Sequence, residues 1–286
     1  MSIFLLLALA AGWQTPAAAQ PTDPLSQDWR AIPDDEIMLV TLAGNRTVVV
    51  RLAAKQAPLH AANIRKLTAA RWWDGESVYR VQENWVAQWG DSTEKKPLPS
   101  GVAKSVAPEF ELTMPFAPAV RMARADTHSQ ASGITADGWP VASDNAGHSW
   151  LTHCYGSVGV ARDAEPTSGS GSELFTPIGQ SARRLDRNYA VVGRIIEGMQ
   201  YLSALSRSGA QMGMYATAAE RTPILSVRLA SELSASSRPR FEYRAADNPR
   251  FAAYVRSREN PKAPTIGSGG ADVCEVNFAT RRVGAD

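Results

Sequence analysis

Short apolar runs rich in β-branched residues recur along the chain and are separated by turn-forming residues, a pattern that is typical of β-strands. The first two runs, residues 37–42 and 47–52, flank Gly44-Asn45 and predict a tight β-hairpin. Further strand-like segments are residues 76–91, 117–126, 152–163, 167–179, 188–196 and 222–233. Many short strands at fairly even spacing predict a mainly β protein built as a closed barrel or a sandwich.

Two segments instead show the spacing of a helix. Residues 58–67 place a proline in the first turn and an apolar residue at every third position after it. Residues 197–209 place three apolar residues on one face and end at Gly209, which is typical of a helix C-terminus. The pattern therefore predicts one short helix early in the chain and one late.

The N-terminal residues have the composition of a targeting segment. An apolar core at residues 3–11 is followed by Ala17-Ala18-Ala19, so residues 1–19 are predicted to be a signal peptide. The core is much shorter than the roughly 20 residues that a transmembrane helix needs, and an ordinary apolar N-terminal helix is the alternative. The protein is therefore expected to be exported and periplasmic, with no stable membrane insertion.

The rest of the chain divides by composition. Residues 20–34 are rich in Pro, Asp, Gln and Ser and are interpreted as a flexible arm before a domain at 35–235. Within that domain, residues 92–150 show little periodicity and are interpreted as a long excursion with one strand, 117–126. Residues 236–286 are polar and rich in Arg and Pro. They are predicted to form a C-terminal extension that packs on the main domain.

Composition and charge narrow the range of partners. The 286 residues fit one large domain or one domain with an appendage, and the apolar content allows a sizeable core. The net charge of +2 is too small to argue for a nucleic acid as the main partner. Cys154 and Cys274 are the only cysteines, and in an exported chain they predict one disulfide. Two buried free thiols or an intermolecular bridge are the alternatives.

One cluster of residues carries metal-ligand types. Asp144, His148, His153 and Cys154 lie within eleven residues, but their spacing matches no zinc pattern. A loop that helps to shape a substrate groove is the favoured interpretation, and a metal-dependent enzyme is the distant alternative.

A cation interrupts the most aromatic of the strand-like segments. In "ESVYRVQENWVAQWGD", residues 76–91, Arg80 stands among valine, tyrosine and tryptophan. Taken alone, it would be interpreted as a surface arginine on an edge strand. The order of the motifs around it indicates a different role.

The series of motifs resembles the cyclophilins. It runs from the hairpin and helix through "DG", "YRV", "QWGD", a Gly-Ser turn before Phe, "LD" and "VVGR" to "EGM". The resemblance covers roughly residues 35–232, with an insertion near 112–152. It implies a closed eight-stranded antiparallel barrel capped by two short helices. It also implies peptidyl-prolyl cis-trans isomerase activity on Pro-containing polypeptides, without a cofactor. A cyclophilin-like module that binds Pro-containing segments with little turnover is the alternative.

The resemblance also assigns site residues. It places the catalytic pair at Arg80 and Gln88, and substrate contacts at Trp85, Val86, Ala161, Phe175, Leu185 and Tyr189. Departures from the family's usual residues are Tyr79 for His, Glu173 for Gln, Leu174 for an aromatic residue, Tyr189 for His and Arg184 for Trp. The first four leave the catalytic apparatus plausible, and the last bears on inhibitor binding.

These residue types suit rotation about a peptide bond. The barrier is about 18–20 kcal/mol because the planar peptide is stabilised by resonance. A fixed donor aimed at the prolyl nitrogen stabilises the twisted state more than either planar state. Arginine supplies such a donor and stays protonated, and an apolar socket can hold the proline ring.

Overall fold

The computed structural model describes residues 22–163, 167–267 and 269–284 and shows a mainly β protein. Its strands, in chain order, are β1 (Trp29–Ala31), β2 (Ile37–Leu42), β3 (Arg46–Leu52), β4 (Ser77–Val81), β5 (Val86–Gly90), β6 (Val120–Arg121), β7 (Ala131–Ile134), β8 (Pro140–Ser143), β9 (Ser149–Leu151), β10 (Ser157–Val160), β11 (Leu174–Pro177), β12 (Val191–Glu197), β13 (Thr222–Leu229), β14 (Arg240–Arg244) and β15 (Thr280–Val283). Its α-helices are α1 (Pro58–Ala69), α2 (Met199–Ser203) and α3 (Pro249–Glu259). The predicted signal peptide, residues 1–19, lies outside the described residues.

Eight of the strands close into an antiparallel barrel, in the order β10-β11-β5-β4-β13-β2-β3-β12. The predicted closed eight-stranded barrel is therefore confirmed. β2 and β3 form the predicted hairpin, in which Gly44 and Asn45 have positive φ angles of 78° and 54°. Leu42 pairs with Arg46, so the turn has three residues, 43–45. Glycine and asparagine tolerate the positive φ angles that it needs at positions 44 and 45.

Both predicted helices form, and a third one lies in the extension. α1 buries the predicted apolar face, and α2 buries Leu202. The sequence pattern does not predict α3, although Asn248 caps it by accepting a hydrogen bond from Phe251 N at 2.9 Å and Pro249 begins it. Asn followed by Pro is a helix-start signal, and the polar composition of the extension obscured it. None of the helices in the described residues is both long and apolar enough to cross a membrane.

The segment interpreted as a long excursion folds into a four-stranded antiparallel sheet, in the order β6-β7-β8-β9. The prediction of a single strand near 117–126 is therefore wrong, because three more strands follow within residues 131–151. β7, β8 and β9 are short and buried along their whole length. Strands buried on both faces show no alternation of apolar and polar residues, so the pattern did not reveal them.

The N-terminal arm and the extension meet in a separate three-stranded sheet, in the order β1-β14-β15. β1 pairs with β14, and Asp28 accepts a hydrogen bond from Arg250 Nε at 2.6 Å. The prediction of a flexible arm over 20–34 is therefore wrong for its described residues. The extension packs on the barrel through a cluster that includes Phe241, Tyr243, Ile37 and Val49.

Arg51 and Arg194 join both added segments to the outer wall of the barrel. They are cross-strand partners on β3 and β12, and both are buried. Arg51 Nη1 donates to the carbonyl of Asp137 at 2.9 Å, and Arg194 Nη2 donates to the carbonyl of Phe278 at 2.9 Å. The rings that cover the two guanidinium groups are those of Trp139, Tyr243 and Phe278. The insertion and the extension therefore both contact the same pair of buried arginines, Arg51 and Arg194.

Cys154 and Cys274 are joined by a disulfide, with their Cα atoms 5.2 Å apart. The bond connects the segment between β9 and β10 to the extension, across a sequence separation of 120. It thus links the residues that lead into β10 of the barrel to the C-terminal extension.

We predict that replacing both cysteines, Cys154→Ser with Cys274→Ser, lowers the free energy of unfolding by about 2–4 kcal/mol, because a long loop is no longer closed in the unfolded chain. Denaturant unfolding of the variant and the wild type measures the difference. Alkylation of unfolded, unreduced wild-type monomer is the matched check. Two reactive thiols in that sample would show that the bond is absent.

Candidate active site

An open cavity of about 380 Å³ lies beside the strands β4, β5 and β11, which run next to one another in the barrel. The structure brings all eight predicted site residues together around it, with two further ones. The lining residues are Arg80, Trp85, Val86, Gln88, Ala161, Arg162, Phe175, Leu185, Tyr189 and Met212.

Arg80 on β4 lies directly opposite Gln88 on β5. Its guanidinium donates through Nη1 to Gln88 Oε1 at 3.0 Å, through Nη2 to Gln82 Oε1 at 2.7 Å and through Nε to the carbonyl of Met212 at 2.7 Å. Each terminal nitrogen carries a second N–H, so the group is held in place and keeps donors for a substrate. Burial lowers the pKa of Arg80 below its usual value.

Apolar side chains form a socket beside Arg80. Phe175 on β11 is buried, and the ring of Tyr189 meets it edge to face, with centroids 5.7 Å apart. Gly159 lies opposite Phe175 on the neighbouring strand β10. A Cβ at position 159 would lie 2.3 Å from the Phe175 ring, so the ring occupies its position because this residue has no side chain.

A buried carboxylate holds the socket from behind. The ring of His153 stacks on the ring of Phe175, with centroids 5.8 Å apart. The main-chain N–H of His153 donates to Asp186 Oδ1 at 2.8 Å. Asp186 also accepts from Trp150 Nε1 at 3.2 Å and from Arg183 Nε at 2.7 Å. Burial opposes ionisation, but the hydrogen bonds from His153 and the charge of Arg183 lower the pKa of Asp186. These hydrogen bonds and the ion pair with Arg183 hold Asp186 in place, and with it the neighbouring socket residue, Leu185.

The residues with metal-ligand side chains do not form one site. His148 pairs with Asp144 at 2.7 Å, His153 is bound to Asp186, and Cys154 is in the disulfide. Among the described residues, no group of three or more His, Cys, Asp or Glu side chains could hold a metal ion. The structure therefore gives no support to a metal-dependent enzyme built on this cluster.

Two of the departures from the family pattern contact each other. Tyr79 Oη donates to Glu173 Oε2 at 2.7 Å, and Gln88 Nε2 donates to Tyr79 Oη at 2.6 Å. Burial raises the pKa of Glu173 to about 8. Because Gln88 also accepts from Arg80, the two replaced residues connect directly to the predicted catalytic pair.

Sequence reasoning missed Arg162 and Met212. Arg162 follows the predicted contact residue Ala161, and its guanidinium lies 5.1 Å from the centroid of the Tyr189 ring. Met212 belongs to a loop far along the chain and contacts Arg80 through its carbonyl, so no local signal marked it. Arg184, at the family's tryptophan position, is exposed and does not line the cavity.

The family profile for "Cyclophilin type peptidyl-prolyl cis-trans isomerase/CLD" matches residues 37–229, about two thirds of the 286 residues. The chain therefore belongs to the cyclophilin-type peptidyl-prolyl cis-trans isomerases. The matched residues run from β2 to β13 and thus comprise the whole barrel together with the insertion. No curated protein matches the chain significantly.

A solved cyclophilin structure resembles the chain in fold. The crystal structure of cyclophilin AquaCyp293 from Hirschia baltica has a TM-score of 0.69 and 24% sequence identity, and covers 89% of this chain and 93% of that chain. A cyclophilin type peptidyl-prolyl cis-trans isomerase from Cryptosporidium parvum, crystallised in the presence of the dipeptide Ala-Pro, has a TM-score of 0.44 and 14% identity, and covers 68% of this chain and 98% of that chain. The likeness to the Hirschia baltica structure extends beyond the barrel.

We predict that Arg80→Ala lowers kcat/KM for a Pro-containing peptide by about ten-fold or more, or about 1.4 kcal/mol of transition-state stabilisation. Arg80→Lys should also be impaired, because a single ammonium cannot contact all the acceptors of the planar fork. Arg281→Ala, which removes an exposed arginine of β15 paired with Glu242, is the matched control. Equal kcat/KM for Arg80→Ala and the wild type would remove Arg80 from the reaction.

We predict that peptides with glutamate beside the proline have a KM about two- to five-fold lower than peptides with lysine there, the effect of one partly exposed ion pair. The lining residues include two arginines and, among the described residues, no carboxylate. The preference should weaken in high salt and disappear in Arg162→Glu, which leaves one arginine and one carboxylate in the lining.

Arg30→Glu makes the same charge change on β1, where Arg30 pairs with Asp247, and should leave the preference unchanged. Equal KM values of the wild-type enzyme for the glutamate and lysine peptides at low salt would refute the predicted effect of the two arginines on substrate preference.

Proposed function

We propose that this protein accelerates the cis-trans isomerisation of X-Pro bonds in exported proteins and thereby assists their folding. The observation that carries the proposal is the position of the Arg80 guanidinium, which is held by Gln88, Gln82 and Met212 beside an apolar socket. Isomerisation before proline takes tens to hundreds of seconds without a catalyst and can limit folding.

The geometry suits a reaction in which no covalent bond forms or breaks. The socket of Phe175, Leu185 and Val86 receives the proline ring and holds it while the preceding carbonyl rotates. In the twisted state the prolyl nitrogen loses its resonance with that carbonyl and becomes an acceptor. The Arg80 donors stabilise this state more than the planar ones, which lowers the barrier.

Two features support a periplasmic location for this activity. Residues 1–19 have the composition of a signal peptide. The disulfide between Cys154 and Cys274 is of a kind that persists in oxidising compartments. The partners that we propose are Pro-containing polypeptides rather than nucleic acids, since the net charge is only +2.

We predict that the purified protein accelerates isomerisation of a short X-Pro peptide in a protease-coupled assay, and that it also accelerates refolding of a disulfide-bonded client whose slow phase is prolyl isomerisation. Arg80→Ala is the matched control in both assays. Binding of the peptide without any acceleration would instead establish the alternative, a cyclophilin-like binding module with little turnover.

A further inference from the structure

Four side chains form a continuous chain of hydrogen bonds that leads away from the cavity. Arg80 Nη1 donates to Gln88 Oε1 at 3.0 Å, Gln88 Nε2 donates to Tyr79 Oη at 2.6 Å, and Tyr79 Oη donates to Glu173 Oε2 at 2.7 Å. The other oxygen, Glu173 Oε1, accepts from the main-chain N–H of Asp91 at 2.8 Å. Every donor in the chain points the same way, from the guanidinium to the carboxyl.

The two ends fix the direction of this chain of hydrogen bonds, because the Arg80 guanidinium only donates and an ionised Glu173 carboxylate only accepts. A glutamine amide and a tyrosine hydroxyl can each be turned, because both donate and accept. An ionised carboxylate only accepts, so Glu173 makes the Tyr79 hydroxyl donate to it. The Tyr79 oxygen then accepts from the Gln88 amide nitrogen, and the Gln88 oxygen faces Arg80.

The backbone next to Glu173 leaves room for its carboxyl group. Gly90, at the end of β5, has a φ of +147°, which side-chain-bearing residues rarely adopt. A Cβ there would lie 2.2 Å from Glu173 Oε2. The carboxyl group therefore fits in contact with the main chain of β5, the strand that carries Gln88.

We propose that Tyr79 and Glu173 are positioning residues, which hold Gln88 and through it the Arg80 guanidinium, and that ionised Glu173 is the form that does so. This inference rests on the proposed isomerase activity. The two residues replace the histidine and glutamine usual in the family, and in this chain they act as a matched pair.

Protonation of Glu173 changes which groups donate and which accept in this chain of hydrogen bonds. A proton on Oε2 would make Glu173 donate to Tyr79 Oη, which already accepts from Gln88. The Tyr79 hydroxyl proton would then lose its acceptor, or the Gln88 amide would turn and present a donor to Arg80. The wild-type kcat should therefore rise as pH increases through the ionisation of Glu173.

Of the charged and titratable groups around Glu173, Glu173 itself is the one expected to change its ionisation between neutral and mildly basic pH. Burial, with a smaller contribution from the charges of Asp91 and Glu94, raises the pKa of Glu173 to about 8, against the hydrogen bonds from Tyr79 and the Asp91 N–H. Asp91 has a pKa of about 2, because main-chain N–H groups and Thr93 bind its carboxylate against the effect of burial. Burial raises the pKa of Tyr79 far above that range.

Stability should change in the opposite direction. The pKa of Glu173 is raised in the folded protein from the usual 4.5 to about 8. Its contribution to stability is therefore fully present below the usual value and is lost as pH rises through the folded value. A residue with a merely structural role would lower kcat as the fold weakens, whereas a positioning role makes kcat rise while stability falls.

The experiment compares kcat, KM and the unfolding midpoint between about pH 6 and pH 9.5 in the wild type, Glu173→Gln and Tyr79→Phe. We expect the wild-type kcat to rise several-fold around pH 8 with little change in KM. Glu173→Gln should show a flat profile, because glutamine does not titrate. Tyr79→Phe should lower kcat about ten-fold without the rise. Glu76→Gln, which removes a carboxylate paired with Lys96 instead, should behave as the wild type.

Identical pH profiles for the wild type and Glu173→Gln, or an unchanged kcat in Tyr79→Phe, would overturn the inference. A second measurement does not depend on activity: the NMR signals of the Gln88 side-chain amide and of Arg80 Nε–H should shift with pH in the wild type and not in Glu173→Gln. If these signals shift while no isomerisation is detected, the positioning role stands and the proposed function fails. If they do not shift, the positioning role is rejected whatever the activity.

Discussion

The burial of two arginines on the outer wall of the barrel is the constraint on which the arrangement of the added segments depends. Arg51 and Arg194 face away from the barrel core, and burial lowers the pKa of Arg194 to about 9, so it is still mostly charged at neutral pH. Buried charges are costly unless acceptors and polarisable groups surround them. The insertion contributes Trp139, and the extension contributes Tyr243 and Phe278. Each added segment therefore contributes to covering the same pair of cations.

The same two segments also reach the back of the socket. Trp150 of the insertion donates to Asp186, and Asp272 of the extension lies 3.2 Å from Arg183, which itself pairs with Asp186. The disulfide at Cys274 ties the extension to the barrel two residues after Asp272. Leu185 and Phe175 are therefore supported by parts of the chain that lie outside the barrel, and a change in either addition can alter the socket.

The sequence predicted which residues line the candidate site, but not the hydrogen bonds that connect them. The order of motifs placed Arg80, Gln88 and six contact residues, and all of them line one cavity. The hydrogen bond between Tyr79 and Glu173 joins residues 94 positions apart, and each residue alone resembles only a departure from the family pattern. Met212 is brought to Arg80 by a loop whose sequence carries no signal for that contact.

The sequence by itself determined the barrel strands, the hairpin at Gly44-Asn45 and the two capping helices, because strand alternation, turn chemistry and helical spacing are local properties of neighbouring residues. Only the tertiary structure decided that β1 pairs with β14 more than 200 positions away and that residues 131–151 form a buried sheet. It also decided that Arg51 and Arg194 are buried side by side. The physical reason is that pairing and burial depend on which surfaces meet, and a local pattern does not specify its distant partner.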